Sequence, residues 1–332
     1  MDELRTRMYF QGLNHVAFET PADMVRHFGA VQAQDFLGSL WAIGQRVEKA
    51  TEASVEAALN DGSIVRSWPM RGTIHYTAPE DLRWMLDLLA ERAIAKSVKV
   101  QRDAGLTKKD FVKARSVFEN EMAGGKIFGR NDVYAMLERN RIKTKNTRGL
   151  HIIGQMAREK VICFGPRKGK QPTFVLLDEW APKKRTLSKD DALAELTLRY
   201  FISHGPATAR DFAWWAGITT TEALRGLDMV NWNLKKTGDY WMSPDEYELT
   251  KKQIVRLLPA YDEFLVAYKD REDMQIIFNS TIILNGEVAG TWKRSIKKDG
   301  VSFETKLTKK VSDTILQKEL NRYADFIGYI RL

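Results

Sequence analysis

The chain has 332 residues, 44% of them hydrophobic and 29% charged, with a formal net charge of +9 and a pI near 9.4. That is long enough for two or three ordinary domains, or for several small ones sharing an extended core, and charges interrupt every apolar run well before the roughly 18 residues that a bilayer crossing needs. The opening Met1-Asp2-Glu3-Leu4-Arg5 lacks the order of a secretory signal, and the single Cys163 excludes an intramolecular disulfide and a cysteine-rich metal site, so a reducing cytoplasm is expected.

Thr20-Pro21 opens the first expected helix, because a threonine cap followed by proline suits a helix start, and Gly29 breaks it. Helices through Phe36 to Ile43 and around Glu52 to Leu59 follow. Ile64 to Trp68 and Thr73 to Thr77 are β-branched and aromatic runs separated by Pro69-Met70-Arg71-Gly72, which predicts a hairpin. Helices followed by a hairpin compose a winged helix, with Arg66, Arg71 and His75 on or beside the wing. A lone histidine in a strand is either satisfied by a neighbour or faces a ligand, and both readings stay open for His75. His15, His27, His151 and His204 show no metal-ligand spacing.

The same order then recurs. Pro79 to Gln101 reads as helical, and a second unit begins at Leu106-Thr107, with helix signals through Glu121 and an end at Gly124-Gly125. Gly129 to Leu137 and Arg148 to Ala157 predict two short helices, and Val161 to Gly165 and Thr173 to Leu177 flank a basic loop from Pro166 to Pro172, a second wing. Beyond a polar linker at 182–189, Asp191 to Ser203 predicts a helix, His204-Gly205-Pro206 and Gly217 begin two more, and Leu234 to Gly238 with Tyr240 to Met242 form a short hairpin. Trp214-Trp215 either stack on bases or fill a core. From Ile254 the chain is strand-rich, over Ile276 to Phe278, Thr281 to Leu284, Val288 to Arg294 and Val301 to Glu304, with turns at Asn285-Gly286 and Lys298-Asp299-Gly300 and a final helix from Val311 to Phe326. The expected fold is α+β and mainly helical: tandem winged-helix units over 1–104, 105–182 and 183–253, then a β-rich domain over 254–332 closed by the terminal helix.

Charge is unevenly spread. Between Arg139 and Lys170, ten lysines and arginines stand against one acid, Glu159. A solvated helix face mixes signs, so this imbalance points to a phosphate backbone, with Arg148 and the wing residues Arg167, Lys168 and Lys170 as contacts. A smaller excess runs from Lys293 to Lys310, where the Lys297-Lys298 turn either touches DNA or is merely solvated.

The stretch Val31-Gln32-Ala33-Gln34-Asp35 follows the break at Gly29. On extended backbone, residues two apart share a face, so Gln32 and Gln34 converge on one target. On a continuous helix they diverge by about 200° and are ordinary surface residues. Together with Arg66-Ser67-Trp68-Pro69-Met70-Arg71-Gly72-Thr73-Ile74-His75, Leu258-Pro259-Ala260-Tyr261-Asp262-Glu263-Phe264 and Gly290-Thr291-Trp292-Lys293-Arg294, this stretch resembles the bacterial winged-helix DNA glycosylase family that includes AlkZ and YcaQ. The resemblance covers nearly the whole chain. The family motif is Gln-x-Gln in the AlkZ-like branch and Gln-x-Asp in the YcaQ-like branch, so Gln34 places the chain in the former. Asp35 lies one position too late for the second branch's carboxylate and is expected to cap a helix or pair with a cation.

The resemblance implies a monofunctional DNA glycosylase acting on N7-alkylated purines, bases tied into interstrand crosslinks included, with Gln32 and Gln34 as the catalytic pair and neither cofactor, metal nor covalent intermediate. The implied partner is double-stranded DNA carrying alkylated bases, bound by a monomer in the cytoplasm at the nucleoid. A neutral amide has no useful basicity near pH 7. N7-alkylation, however, puts a positive charge on the leaving base, so what remains is to hold a water and stabilise an oxocarbenium ion by orientation and dipole. Asp262 and Glu263 are read either as an acid and base for glycosidic cleavage or, with Pro259 and Tyr261 beside them, as strand residues fixing a junction. Without the site, repeated winged helices also describe a non-catalytic regulator or an architectural clamp, and three units in one chain suggest a monomer wrapping one duplex.

Overall fold

The computed structural model describes residues 1–15, 17–270 and 275–331. The chain packs as two compact units, one formed by Met1–Ala57 together with Ala194–Leu332, the other by Ala58–Leu193. Three series of helices, each followed by a hairpin, run along the chain in the expected order, and an antiparallel sheet with a terminal helix follows them.

In the unit built from both ends of the chain, helix starts follow local caps. The Thr208 and Thr219 hydroxyls accept from the backbone N–H of Asp211 and Glu222, whose carboxylates return the bond to the threonine N–H, so helices Ala209–Ala216 and Thr220–Val230 begin with their orphan donors satisfied. The four-stranded sheet is antiparallel throughout, in the order Gly300–Leu307, Glu287–Lys297, Thr281–Leu284, Val255–Leu258. Trp41, on helix Phe36–Gly44, donates its Nε1–H to the Leu257 carbonyl at 2.6 Å and meets Tyr323 of helix Asp313–Phe326 edge-on at 5.0 Å. Met8, Leu13, Leu258, Phe264 and Ile283 fill the space beside it.

In the 58–193 unit, strands Val65–Met70 and Thr73–Thr77 pair through a two-residue turn whose Arg71 and Gly72 both have positive φ, +55° and +79°. Such a turn matches the twist of the flanking strands. Register shifts between Ser67 and Met70, where Pro69 has no N–H for a ladder. Helices Lys108–Glu121, Arg130–Arg139 and Arg148–Arg158 surround Phe118, Met136, Ile152 and Met156 and pack on the sheet made by Phe128–Gly129, Gln171–Leu176 and Ile162–Lys168. Cys163 is buried and its thiol pKa is pushed up by that burial.

Two local expectations change and one helix is added. Ile276–Phe278 is a 3₁₀ turn rather than a strand: the Ile277 carbonyl accepts from Tyr261 N–H at 2.8 Å instead of entering a ladder, and Phe278 is exposed. Asp262 and Glu263 do not lie in a strand. Asp262 caps the short helix Glu263–Val266 by accepting from Phe264 N–H. Glu3–Phe10 is a helix capped by Asp2, which the charge-rich opening had not suggested. Among the described residues no helix is long and apolar enough to cross a membrane.

Candidate active site

Helix Pro21–Phe28 is capped by the Thr20 hydroxyl and ends at Gly29, whose φ of +76° suits a residue without a Cβ. The chain turns there into the two-residue strand Val31–Gln32 and enters helix Phe36–Gly44 at Asp35. Gln32 thus closes a two-residue strand and Gln34 lies in a bend just before helix Phe36–Gly44, so the Gln32-Ala33-Gln34 stretch is held between two helix ends and is not part of a helix. Gln32 is buried, 7% exposed, whereas Gln34 and Asp35 are exposed.

The Gln32 backbone N–H donates to Glu263 Oε1 at 2.6 Å, and the Gln32 side-chain Oε1 accepts from the N–H of Ala33 at 3.2 Å. Glu263 is itself 1% exposed. Its Oε2 accepts from Trp215 Nε1–H at 2.9 Å, and His204 Nε2 approaches the same oxygen to 3.4 Å. His204 stacks on Tyr200 at 4.9 Å, has Phe28 edge-on at 5.1 Å, and places Nδ1 2.7 Å from Ser203 Oγ. One residue earlier, Asp262 makes a buried ion pair with Arg46 and accepts from Gln45 Nε2 at 3.3 Å. Glu263, His204, Trp215 and Arg46 were not foreseen at the loop. The only local signal was two adjacent acids running into the apolar Phe264-Leu265-Val266. Trp215 belongs to the core, while Trp214 is 37% exposed and donates to the Val266 carbonyl.

Asp35 occupies the cap position of helix Phe36–Gly44 without a side-chain capping bond. With Gly38, Trp292, Lys293, Arg294 and Tyr323 it lines a cleft of about 310 Å³. Burial lowers the pKa of Arg294, and the carboxylates of Glu52 and Asp35 act in the opposite direction. The loop therefore offers neutral amides at Gln32 and Gln34 and a carboxylate beside them. Such a set can orient a water and favour developing positive charge, with no strong base required. Among the described residues no group of three or more histidines, cysteines, aspartates or glutamates is arranged to hold a metal ion.

The expected DNA contacts divide by their surroundings. Lys168 and Lys170 are exposed at the turn between Ile162–Lys168 and Gln171–Leu176, where Arg167 donates to the Lys170 carbonyl at 2.8 Å. Lys297 and Lys298 are exposed at the tip of the hairpin whose last pair is Lys297 with Gly300. Arg66 lies with its guanidinium 4.5 Å from the Phe164 ring centre. Arg148 is turned inward, donating to the Lys143 and Ala104 carbonyls at 3.0 and 2.9 Å and facing Asp110 at 3.6 Å. His75 is fully buried. Its Nδ1–H points to the Thr73 carbonyl at 3.0 Å, which leaves Nε2 to accept from Arg71 Nη2 at 3.4 Å, so His75 props Arg71 rather than meeting solvent.

The linear basic run is partly cancelled in space, because Arg139 pairs with Glu121 and Lys160 with Asp87, while the run's own Glu159 is taken by Arg115 from outside it. The exposed cations outside those pairs are Arg141, Lys143, Lys145 and the wing-tip lysines Lys168 and Lys170.

The profile of the family described as "DNA glycosylase AlkZ-like" matches residues 25–326. An interstrand DNA cross-link repair glycosylase of Streptomyces sahachiroi is 21% identical, over 86% of this chain and 85% of its own length. The solved structure of the Streptomyces sahachiroi DNA glycosylase AlkZ superposes with a TM-score of 0.82 at 19% identity, covering 100% of this chain and 97% of that one. With the family profile matched over residues 25–326 and the fold shared along the whole chain, the chain belongs to the AlkZ-like DNA glycosylases and is a DNA glycosylase.

Proposed function

We propose that this glycosylase hydrolyses the N-glycosidic bond of N7-alkylated purines in duplex DNA and that it unhooks interstrand crosslinks, as the name of its Streptomyces relative says of that protein. Gln32 and Gln34 hold the attacking water at the sugar C1′. The observation that carries this reading is the non-helical Gln32-Ala33-Gln34 segment, which leaves a short strand at Gln32 and bends at Gln34, with one amide buried and the other open to solvent. Two neutral amides supply position and dipole but little proton transfer, so they suit a leaving base that already carries a positive charge. Neutral lesions are rejected because nothing in this pair protonates them.

The three helix-then-hairpin series act as winged-helix units over 1–104, 105–182 and 183–253, followed by the β-rich domain over 254–332. A monomer grips phosphates with Arg167, Lys168 and Lys170 at one wing and with Lys297 and Lys298 at the C-terminal hairpin, while Arg66 and Arg71 lie at the first wing. The test is release of N7-methylguanine from alkylated duplex by the wild type, Gln32→Ala, Gln34→Ala and the double variant, each checked for DNA binding. Release lost while binding persists supports the reading. Tight binding by the wild type without release, on this adduct and on a crosslink, overturns it.

A further inference from the structure

We propose that Glu263 is the positioning residue of this site, acting through the Gln32 main chain; the proposal rests on the reading of Gln32 as a water-holding residue. A backbone N–H beside a strand can be satisfied by any carbonyl. Here it is met by a carboxylate that is 1% exposed, at 2.6 Å. Burying an ionisable acid costs several kcal/mol unless donors surround it. Both oxygens meet donors: Oε1 accepts from the Gln32 N–H and Oε2 from the Trp215 indole N–H at 2.9 Å, while His204 Nε2 lies 3.4 Å from Oε2 without a hydrogen bond.

The neighbouring ring is held in turn. The Ser203 hydroxyl donates to the Arg199 carbonyl at 2.6 Å, so it accepts from His204 Nδ1–H at 2.7 Å, and the ring packs against both Tyr200 and Trp215. The carboxylate therefore cannot rotate without breaking a donor bond. It fixes the peptide plane entering Gln32, and the Ala33 N–H, donating to Gln32 Oε1, fixes the plane leaving it. The carboxamide of Gln32 is thus set from both sides by groups that never reach the sugar. Glu263 aims the amide and leaves DNA affinity alone.

Four full-length proteins decide this: Gln32→Ala, Glu263→Gln, Trp215→Phe and Gln32→Ala combined with Glu263→Gln. Glu263→Gln turns an amide NH₂ toward one of the two indole or backbone donors and loosens the clamp. Trp215→Phe removes one donor and leaves the loop sequence intact. Single-turnover release of N7-methylguanine at saturating enzyme is read beside the dissociation constant for a duplex carrying a tetrahydrofuran abasic site. The expected result is a fall in rate of roughly 100-fold for Glu263→Gln, the cost of a misplacement of about 1 Å, and a smaller fall for Trp215→Phe. Affinity stays within about twofold, and the combined variant is no slower than Gln32→Ala alone, because both act on one group.

Wild-type rates in Glu263→Gln and Trp215→Phe overturn the proposal, as does a combined loss equal to the product of the single losses, or a fall confined to affinity. If Glu263→Gln does not fold, Trp215→Phe decides alone. Should Gln32→Ala release base at the wild-type rate, the parent reading fails and the proposal falls with it. A dead Gln32→Ala beside a normal Glu263→Gln removes only the role given to Glu263.

Discussion

Arg46 and Asp262 stand 216 positions apart and meet in a two-pronged ion pair, Nη2 to Oδ1 at 2.7 Å and Nη1 to Oδ2 at 2.9 Å, with both side chains at most 1% exposed. The guanidinium is further held by the Gln11 and Ala42 carbonyls, and the carboxylate by the Phe264 N–H, so neither charge can turn to water when its partner is lost. Arg46→Met is expected to cost about 3–5 kcal/mol, because it leaves an uncompensated buried carboxylate. Arg46→Met with Asp262→Leu recovers most of that loss. Calorimetric melting of the three variants measures it, and losses that simply add refute the pair as a unit.

On the proposed reading the exposed wing lysines hold phosphates and act through counterion release. Lys168→Ala combined with Lys170→Ala is expected to lower the slope of log affinity against log salt by about 2, close to one per phosphate contact. Arg139→Ala, whose cation is already matched by Glu121 at 2.9 Å, should leave the slope unchanged. Titrations at several salt concentrations compare the two, and equal slope changes would show that exposure does not select the contacts.

Arg71 takes its direction from a buried neighbour. His75→Phe keeps the ring volume but removes the acceptor that meets Arg71 Nη2. Affinity for duplex should then fall by no more than it does in Arg71→Ala, and the double variant should match Arg71→Ala alone. A double-mutant cycle with additive losses would assign His75 an independent role.

Acid sensitivity has a source at His27. The ring lies against Phe18 and Phe28, and burial, followed by the nearby His204, lowers its pKa from 6.5 to about 4. Between those two values the unfolded chain takes up a proton that the folded protein refuses. The contribution of the neutral ring is complete above pH 6.5 and is lost as pH falls toward 4, at most about 3 kcal/mol in all. Melting temperatures from pH 7 down to 4.5 should fall less steeply in His27→Gln, and parallel curves would place the sensitivity elsewhere.

Helix starts were legible in the chain because caps close within one turn. Thr107 and Asp110 satisfy each other's backbone N–H three residues apart, and Thr20-Pro21 and Gly29 bracket a helix by the same local rules. The Gln-x-Gln stretch was legible through the family it resembles. Its anchor was not: Glu263 is 231 positions away from Gln32, and no spacing rule links them. The pairing of Arg139 and Lys160 within the basic run was hidden in the same way, since their partners Glu121 and Asp87 lie outside it. Ile276–Phe278 carried strand-like residues, but a ladder needs a partner edge and these residues bond to Tyr261.

The unit that carries the amide loop is assembled from Met1–Ala57 and Ala194–Leu332, and this sets a timetable. A ribosome adding about 5–20 residues per second delivers Glu263 roughly 10 to 50 s after Gln32, a gap of 231 residues. From residue 193 onward the contiguous 58–193 unit is complete in sequence, wing included, while Glu263 has still to be made. On the proposed reading, a nascent chain therefore holds its wing lysines well before the residue that sets its amide loop has been made.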